Sequence, residues 1–378
     1  MTDQTTPGGP ASPEGPIQSS AADLQLDHDD LAMMPFEEQL HSPRLPRQVP
    51  VWLGAAALVV GAGLLSIGAG IALSIVAAWL TFALSLSIVS RIREGARKSK
   101  DRLATLLVTT AFVVALLPLV ALLWQVFSKG APVVDSTFLT SSMRNVVGEG
   151  GGIYHALWGT VLVTAMATVM SVPIGLLTAI YLVEYSNGRL GRAITFLVDV
   201  MTGIPSIVAG LFAYALFAIF FGPGVRMGFG GAVALSVLMI PLVVRSGEEM
   251  LKLVPHDLRE ASYALGVPKW RTISKVVMPT ALAGIVTGIT IAIARVIGET
   301  APLLIICGAT DSTNFNLFSG RMMTLPVYIF NQYKNPGIPA SASVDRAWGA
   351  AFVLTVIVMA LSLVARLVSH YFSPKTRA

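Results

Sequence analysis

Two ionisable residues, Arg295 and Glu299, lie four positions apart near the end of an apolar run that begins around Pro279. If that run is one helix, residues four apart share a face, so the two side chains are predicted to pair. At 1.5 Å per residue, Arg295 lies about 24 Å along the helix from Pro279, in the outer half of a membrane span. A charge there costs about 2–3 kcal/mol or more, so it faces a partner or a watery path. Arginine offers a fixed, permanently charged fork that suits the oxygens of an oxyanion.

Two roles for this pair stay open from the residues alone. Either Arg295 and Glu299 hold helices together, or Arg295 lines an anion path and Glu299 neutralises it when no anion is present. Thr300 adds a hydroxyl, although a threonine in a helix more often bonds to a backbone carbonyl. Arg245 ends another apolar run, where a long basic side chain ordinarily reaches the lipid headgroups.

The composition places these residues in a membrane protein. The 378-residue chain is 54% hydrophobic and only 12% charged, about half the charge of an ordinary soluble domain. Its net charge of +5 comes from short basic loops between apolar runs, which argues against nucleic-acid binding. Cys307 is the single cysteine, so it is expected to be a small packing residue, and neither a metal site nor a cofactor is predicted.

Apolar runs of membrane-spanning length predict an all-α polytopic protein with eight spans and both termini in the cytoplasm. Residues 1–48 are predicted to be a disordered cytoplasmic tail, because they hold few large apolar residues. Residues 49–102 form an accessory hairpin, turning at Gly68–Gly70, and a basic loop. The later spans are predicted at 103–127, 153–183, 193–221, 232–244, 279–304 and 348–368. The domain boundaries are 103–150 for the first of these spans with its outside loop, 151–370 for the main membrane domain and 371–378 for a cytoplasmic tail.

One cytoplasmic segment, residues 254–279, is unusually ordered in its sequence and is called the docking loop below. Asp257 is predicted to cap a short helix together with Glu260, three residues later. Gly266 supplies a left-handed helix stop, and Pro268 begins the next turn. Physical reading leaves two alternatives open: a docking element for another protein, or a helix lying on the membrane surface beside Trp270.

The docking loop resembles that of the membrane subunits of ABC importers. The match consists of Glu260-Ala261-Ser262, then Gly266, then Val276-x-Met278-Pro279, with conservative departures at Ser262, Val276 and Met278. The resemblance implies a type I ABC importer permease core of six spans, to which the hairpin is an addition. It also implies that the loop is a coupling helix seated in a groove of an ATPase subunit. The residues implied in ATPase docking are Glu260, Ala261, Ser262, Leu265, Gly266 and Pro268.

Three further segments make the chain similar to phosphate-importer membrane subunits: GIPSIVAGLFAYALF, MLKLVPHDLREASYALGVPKW and AIARVIGETAPLL. The resemblance covers residues from about 103 to the C-terminus. It implies phosphate as the solute, a bacterial inner-membrane location, and a substrate path through Arg295, Glu299, Arg245 and Thr300. The implied partners are a sister permease forming a heterodimer, two ATPase subunits and an extracytoplasmic phosphate-binding protein. Gly284-x-x-x-Gly288 fits close helix packing in such a dimer, although glycine frequency alone explains the spacing about as often.

The chain contains no G-x-x-x-x-G-K-[ST] nucleotide loop, so ATP is expected to be bound and hydrolysed on a partner chain. Three rival functions remain: an importer for phosphonate or sulfate, an ion-coupled secondary carrier, and a sensor or scaffold. A secondary carrier predicts inverted repeats with charges in both halves, whereas the sequence has one intramembrane Arg/Glu pair.

Overall fold

A computed structural model describes residues 45–46, 48–186 and 188–372. Most of the tail predicted at 1–48 and most of the tail predicted at 371–378 lie outside these ranges. The described residues form helices and turns, with no strand among them. The chain divides into two compact units, Met1–Pro118 and Leu119–Ala378, and the boundary falls within one long helix.

The helices in chain order are α1 (Gln48–Ser66), α2 (Ile71–Glu94), α3 (Ala96–Gly130), α4 (Ser136–Thr140), α5 (Tyr154–Ile180), α6 (Arg189–Thr202), α7 (Ser206–Phe221), α8 (Gly228–Lys252), α9 (His256–Ala264), α10 (Lys269–Thr272), α11 (Met278–Val296), α12 (Ala301–Ile306), α13 (Leu325–Lys334) and α14 (Ala340–Phe372). A π-helical turn, Tyr181–Tyr185, follows α5, and a second, Ile273–Val277, joins α10 to α11.

In the first unit, α1 and α2 pack together as a hairpin. The basic segment that follows is helical, so the loop predicted there is replaced by a corner at Gly95, where φ is 90°. The buried carboxylate of Glu94 holds this corner. It accepts hydrogen bonds of 2.6 and 2.8 Å from Arg102 and one of 2.9 Å from Ser90.

In the second unit, α8 is the central helix and packs against α5, α7 and α11. Small residues allow the close approach: Gly175 of α5 lies against Val243 of α8. The helix extends eight residues beyond the predicted end of its span, to Lys252, so Arg245 lies inside α8 rather than at a helix end. Buried apolar side chains of α5, α8 and α11 form the main core.

The span predicted at 193–221 is two helices, α6 and α7, with an angle of 107° between their axes. The bend lies at Gly203-Ile204-Pro205, because the proline has no N–H and the residue before it is disfavoured in a helix. Seven helices of the described ranges are long and apolar enough to span a membrane, and this bent pair makes an eighth if it is one span.

The span predicted at 279–304 differs from the structure at both its start and its end. One continuous helical stretch of 28 residues runs from Lys269 through the π-helical turn to Val296. Pro279 therefore lies within the helix rather than at its start. The chain then leaves helical geometry at 297–300 and resumes as α12. The segment 308–346, predicted as a polar outside segment, also contains helix α13, whose residues Leu325 to Tyr328 are buried.

Candidate functional site

A cavity of about 210 Å³ lies where α6, α7, α8 and the end of α11 meet. Arg295, in the last turn of α11, and Glu299, in the break before α12, both contribute to its wall. The other lining residues are Met201, Thr202, Ile204, Ser206, Leu238, Pro241, Leu242 and Val296. The bend between α6 and α7 thus supplies one wall of the cavity, and α8 supplies another.

Arg295 and Glu299 line the same cavity, but they are not on one helix face as predicted. They do not share a helix face, because α11 ends at Val296 and Glu299 lies outside helical geometry. Gly298 and Pro302 cause the break: glycine weakens the helix, and proline is best accommodated in the first turn of a new one. Within the described residues, neither side chain forms a hydrogen bond or ion pair, so the predicted pairing is absent.

Thr300 precedes α12 and does not line the cavity. Its hydroxyl forms neither the predicted bond to a helix carbonyl nor a side-chain cap in the described part of the chain. The threonine therefore marks the start of α12, and its role in a substrate path stays a prediction.

Arg245 lies one turn beyond the cavity-lining residues Pro241 and Leu242 on α8 and is not itself part of the wall. It is held by two carboxylates. One is Asp199 of α6, and the other is Glu248, which accepts a 2.9 Å hydrogen bond from Arg245 and a 2.6 Å bond from Lys252. Asp199 was not among the residues predicted from the sequence. The result is a chain of alternating charges that links α6 to α8.

The docking loop exposes most of the residues predicted to contact an ATPase subunit. The exposed members of that set are Glu260, Ala261, Leu265, Gly266 and Pro268. The side chain of Leu265 is 83% exposed, which is unusual for a large apolar residue within an ordered turn. Ser262 differs, since it is buried and its hydroxyl lies 2.8 Å from that of Thr272. Its contact holds the two arms of the loop together.

The predicted left-handed stop is at Gly266, where φ is 73°. The N–H of Val267 donates to Ser262 O (3.3 Å) and that of Gly266 to Tyr263 O (2.9 Å), the Schellman pattern. The predicted cap at the other end of α9 is absent: Pro255 precedes the helix, and no side chain caps it. Asp257 lies in the first turn instead, where its negative charge interacts favourably with the helix dipole.

A buried arginine connects the docking loop to the membrane helices, a contact that was not predicted from the sequence. Arg259 of α9 is 8% exposed and lies 3.1 Å from the carboxylate of Glu184, in the π-helical turn after α5. It also donates to Leu251 O (2.8 Å) and Val254 O (2.6 Å) at the end of α8. On the other arm, Lys269 donates to the carbonyl of Glu184. The sequence offered one faint signal, a lone acidic residue at the end of an apolar run.

The two glycines of α11 pack against a helix of the same chain. A methyl group at Gly288 would overlap Ser246 Oγ, and one at Gly284 would overlap Met250 Sδ, both on α8. Both glycines therefore lie close to α8 of the same chain, and a role of this spacing in a contact between permeases stays a prediction. Cys307 is buried, as expected of a packing residue. Within the described residues, no cluster of His, Cys, Asp or Glu is placed to hold a metal ion.

Comparisons with known proteins agree with this architecture. Residues 171–378 match the family described as binding-protein-dependent transport system inner membrane component. A Mycobacterium tuberculosis protein named phosphate transport system permease protein PstA 1 is 50% identical over 284 residues, 74% of this chain and 91% of that protein. The Yersinia pestis phosphate transport system permease protein PstA is 35% identical over 283 residues, 74% of this chain and 92% of that one.

Among solved structures, a bacterial alginate ABC transporter, crystallised with an alginate pentasaccharide-bound periplasmic protein, contains a chain of the same fold. Its TM-score is 0.52 at 12% identity, and the match covers 73% of this chain and 96% of that chain. This likeness concerns the fold alone and confirms the predicted ABC importer permease core. Together with the sequence matches, it shows that the chain belongs to the binding-protein-dependent transport system inner membrane components and, within them, to the phosphate transport system permeases.

Proposed function

We propose that this chain forms half of the translocation path of an ATP-driven importer of inorganic phosphate and is moved by a separate ATPase through the docking loop. Its family is a membrane transport component, which supports a non-catalytic role for this chain. The names of its relatives supply phosphate as the solute. ATP is bound by the partner, and this chain needs no cofactor of its own.

The observation that carries the proposal is Arg295 at the cavity wall, with no counter-ion bound to it among the described residues. A guanidinium that already forms a bidentate ion pair has little capacity left for an anion. Arg295 forms no such ion pair in the described part of the chain, so its guanidinium group remains able to bind an anion. Glu299 on the same wall limits how tightly an anion is held. Phosphate therefore meets one fixed positive charge and one negative charge, an arrangement that favours transient binding over a permanent trap.

The exposure of Arg295 supports a sister permease. The side chain is exposed on the surface of this single chain, at the end of a membrane-spanning helix. A charge facing hydrocarbon is costly, so a second protein surface is needed to cover it and complete the path. We infer a heterodimer of two permeases, with two ATPase subunits on the cytoplasmic side and an extracytoplasmic phosphate-binding protein on the other.

Coupling follows from the continuity of the helical stretch that ends at Val296. The same 28 residues begin at Lys269 in the docking loop and end beside the cavity. Movement of the docking loop by an ATPase would shift this stretch as a unit and change the cavity wall. We propose that the docking loop and both termini lie in the cytoplasm, and that the protein resides in a bacterial inner membrane.

The test is ATP-dependent uptake of radiolabelled phosphate by proteoliposomes containing the permease pair and its ATPase. Arg295→Gln should lower uptake at least about 100-fold, because the fixed charge is lost. Arg366→Gln, which removes an exposed arginine of α14 away from the cavity, serves as the matched control. Uptake that continues without the ATPase would contradict the proposal. Competition by phosphonate or sulfate at equal concentration would assign a different oxyanion.

A further inference from the structure

Two arginines of the outer loops converge on Gly308, at the end of α12 farther from Glu299. An ideal Cβ built on Gly308 would lie 2.8 Å from Cδ of Arg226 and 3.4 Å from Cδ of Arg321. The two Cδ atoms are therefore no more than about 6 Å apart, so both arginine side chains start from one small region of the surface. Both side chains are exposed.

The position of this arginine pair is fixed by the backbone on both sides. The N–H of Met227 donates to Ile306 O (3.0 Å), and the N–H of Met322 donates to Cys307 O (3.2 Å). Each bond holds the residue directly after one arginine against the end of α12. The convergence of the two arginines thus follows from the way the outer loops attach to that helix.

The pair has no counter-ion within the described residues. Neither arginine forms an ion pair or a side-chain hydrogen bond there, and Asp311, the acidic residue nearest to Gly308 in sequence, forms none either. Neither arginine caps α12 with a side-chain hydrogen bond in the described ranges, and backbone N–H groups bind the carbonyls of Leu303, Ile306 and Cys307. Two arginines whose side-chain stems meet at one glycine, each without a counter-ion among the described residues, have the chemistry of a site for a multivalent oxyanion.

The pair lies on the opposite side of the protein from the docking loop. It belongs to the segment between α7 and α8 and to the segment after α12, whereas the docking loop follows the other end of α8. Helix α12, which begins two residues after Glu299, is only about 9 Å long over its six residues. The arginine pair and the Arg295 cavity therefore stand at the two ends of one short helix.

We propose that Arg226 and Arg321 form an entry site that receives inorganic phosphate on the outer face and passes it along α12 to the cavity beside Arg295. This inference rests on the proposed function, because it takes phosphate as the solute. The entry site would be a second phosphate-binding position on the path. Phosphate would then bind in turn to two positively charged sites, neither of which has a counter-ion in the part of the chain that the structure describes. The glycine at position 308 leaves room for the two arginine stems.

The first experiment uses the unsubstituted transporter complex in nanodiscs and the arginine reagent phenylglyoxal. Inorganic phosphate should slow the modification of Arg226 and Arg321 at least about fivefold, compared with chloride at the same ionic strength, as read by peptide mass spectrometry. Arg144, an exposed arginine of another outer segment without a side-chain partner in the described ranges, should gain no protection. Equal modification of all three arginines in phosphate and chloride would overturn the proposal.

The second experiment measures uptake from phosphate-loaded binding protein at saturation. The double variant R226Q/R321Q should lower the initial rate about tenfold, as expected for the loss of charge-assisted bonds, whereas R144Q should leave it unchanged. Wild-type rates in the double variant would refute the entry site. Weakened capture of the binding protein, with phosphate protection absent, would assign the arginines to protein docking and also refute it. Absence of uptake by the unsubstituted complex would instead refute the proposed function.

Discussion

Arg259 and Glu184 form a buried ion pair that joins the docking loop to the end of α5, with 3.1 Å between their charged groups. The arginine also binds two carbonyls at the end of α8. One side chain thus connects the element predicted to receive force from an ATPase with two membrane helices. Together with the helix that continues from Lys269, this gives the docking loop three attachments to the membrane helices, two of them to helices that line the cavity, α8 and α11.

Glu184→Gln should uncouple ATP hydrolysis from transport. Removing one member of a buried pair leaves the other charge uncompensated, at a cost of about 3–5 kcal/mol. The loop would still carry its exposed docking residues, so ATPase subunits should bind, while phosphate moved per ATP hydrolysed should fall several-fold. The measurement is uptake and ATP hydrolysis in the same proteoliposomes, with thermal unfolding to detect loss of the fold.

Lys275→Gln is the matched control, because it removes an exposed charge from the same loop without breaking a described contact. A charge exchange, Glu184→Arg with Arg259→Glu, should not restore coupling. A glutamate at position 259 has no side-chain N–H to donate to Leu251 O or Val254 O. Full recovery in the exchanged protein would show that the ion pair alone matters and that the bonds to α8 do not.

Leu265→Asp should prevent capture of the ATPase subunits without unfolding the permease. The leucine is 83% exposed in this chain, and a large apolar side chain held out of an ordered turn is typical of an interface residue. Co-purification of the ATPase subunits should fall at least tenfold, with the unfolding temperature unchanged. Leu253→Asp, at a leucine that is 73% exposed just outside the docking loop, should retain the ATPase. Equal loss in both variants would argue for a general effect of charge at the membrane surface.

The left-handed stop of the docking loop and the all-α fold class were predictable from the sequence, because both depend on local chemistry. Gly266 adopts the left-handed conformation that its position predicted, and the apolar runs predicted the membrane helices. The burial of Arg259 was not predictable, since its partner is 75 residues away and a short helix with charged neighbours indicates a solvated face. Tertiary contacts of this kind leave no periodic signal in the chain.

The helix break before Glu299 was, by contrast, present in the sequence. Gly298 followed by Thr300 and Pro302 is a recognisable stop and restart, but the surrounding apolar residues favoured one continuous span. A helix that ends at this break does not place Glu299 on the same face as Arg295. The break alone does not predict the cavity, whose other walls come from α6, α7 and α8.

Gly288→Ala should destabilise the permease by about 1–3 kcal/mol, the usual cost of overpacking a close helix contact. The added methyl group would overlap Ser246 Oγ on α8. Ser246→Gly in the same chain should recover most of that loss, because it removes the overlapping atoms. Thermal unfolding of the single and double variants is the measurement. Failure of Ser246→Gly to compensate would place the contact of Gly288 elsewhere, including in a sister subunit.

Asp199→Asn should slow the release of phosphate on the cytoplasmic side. Asp199 and Glu248 hold Arg245 one turn of α8 away from the cavity, so an anion that reaches this arginine must compete with two carboxylates. Removing one of them leaves the guanidinium freer to retain phosphate, and maximal uptake should fall severalfold while protein stability changes little, since an exposed pair contributes about 0–1 kcal/mol. Asp257→Asn provides a control at an exposed carboxylate outside this network. Faster uptake in Asp199→Asn would show that this carboxylate hinders phosphate on its way to the cytoplasm rather than promoting its release. Arg245 would then not be a residue that retains phosphate.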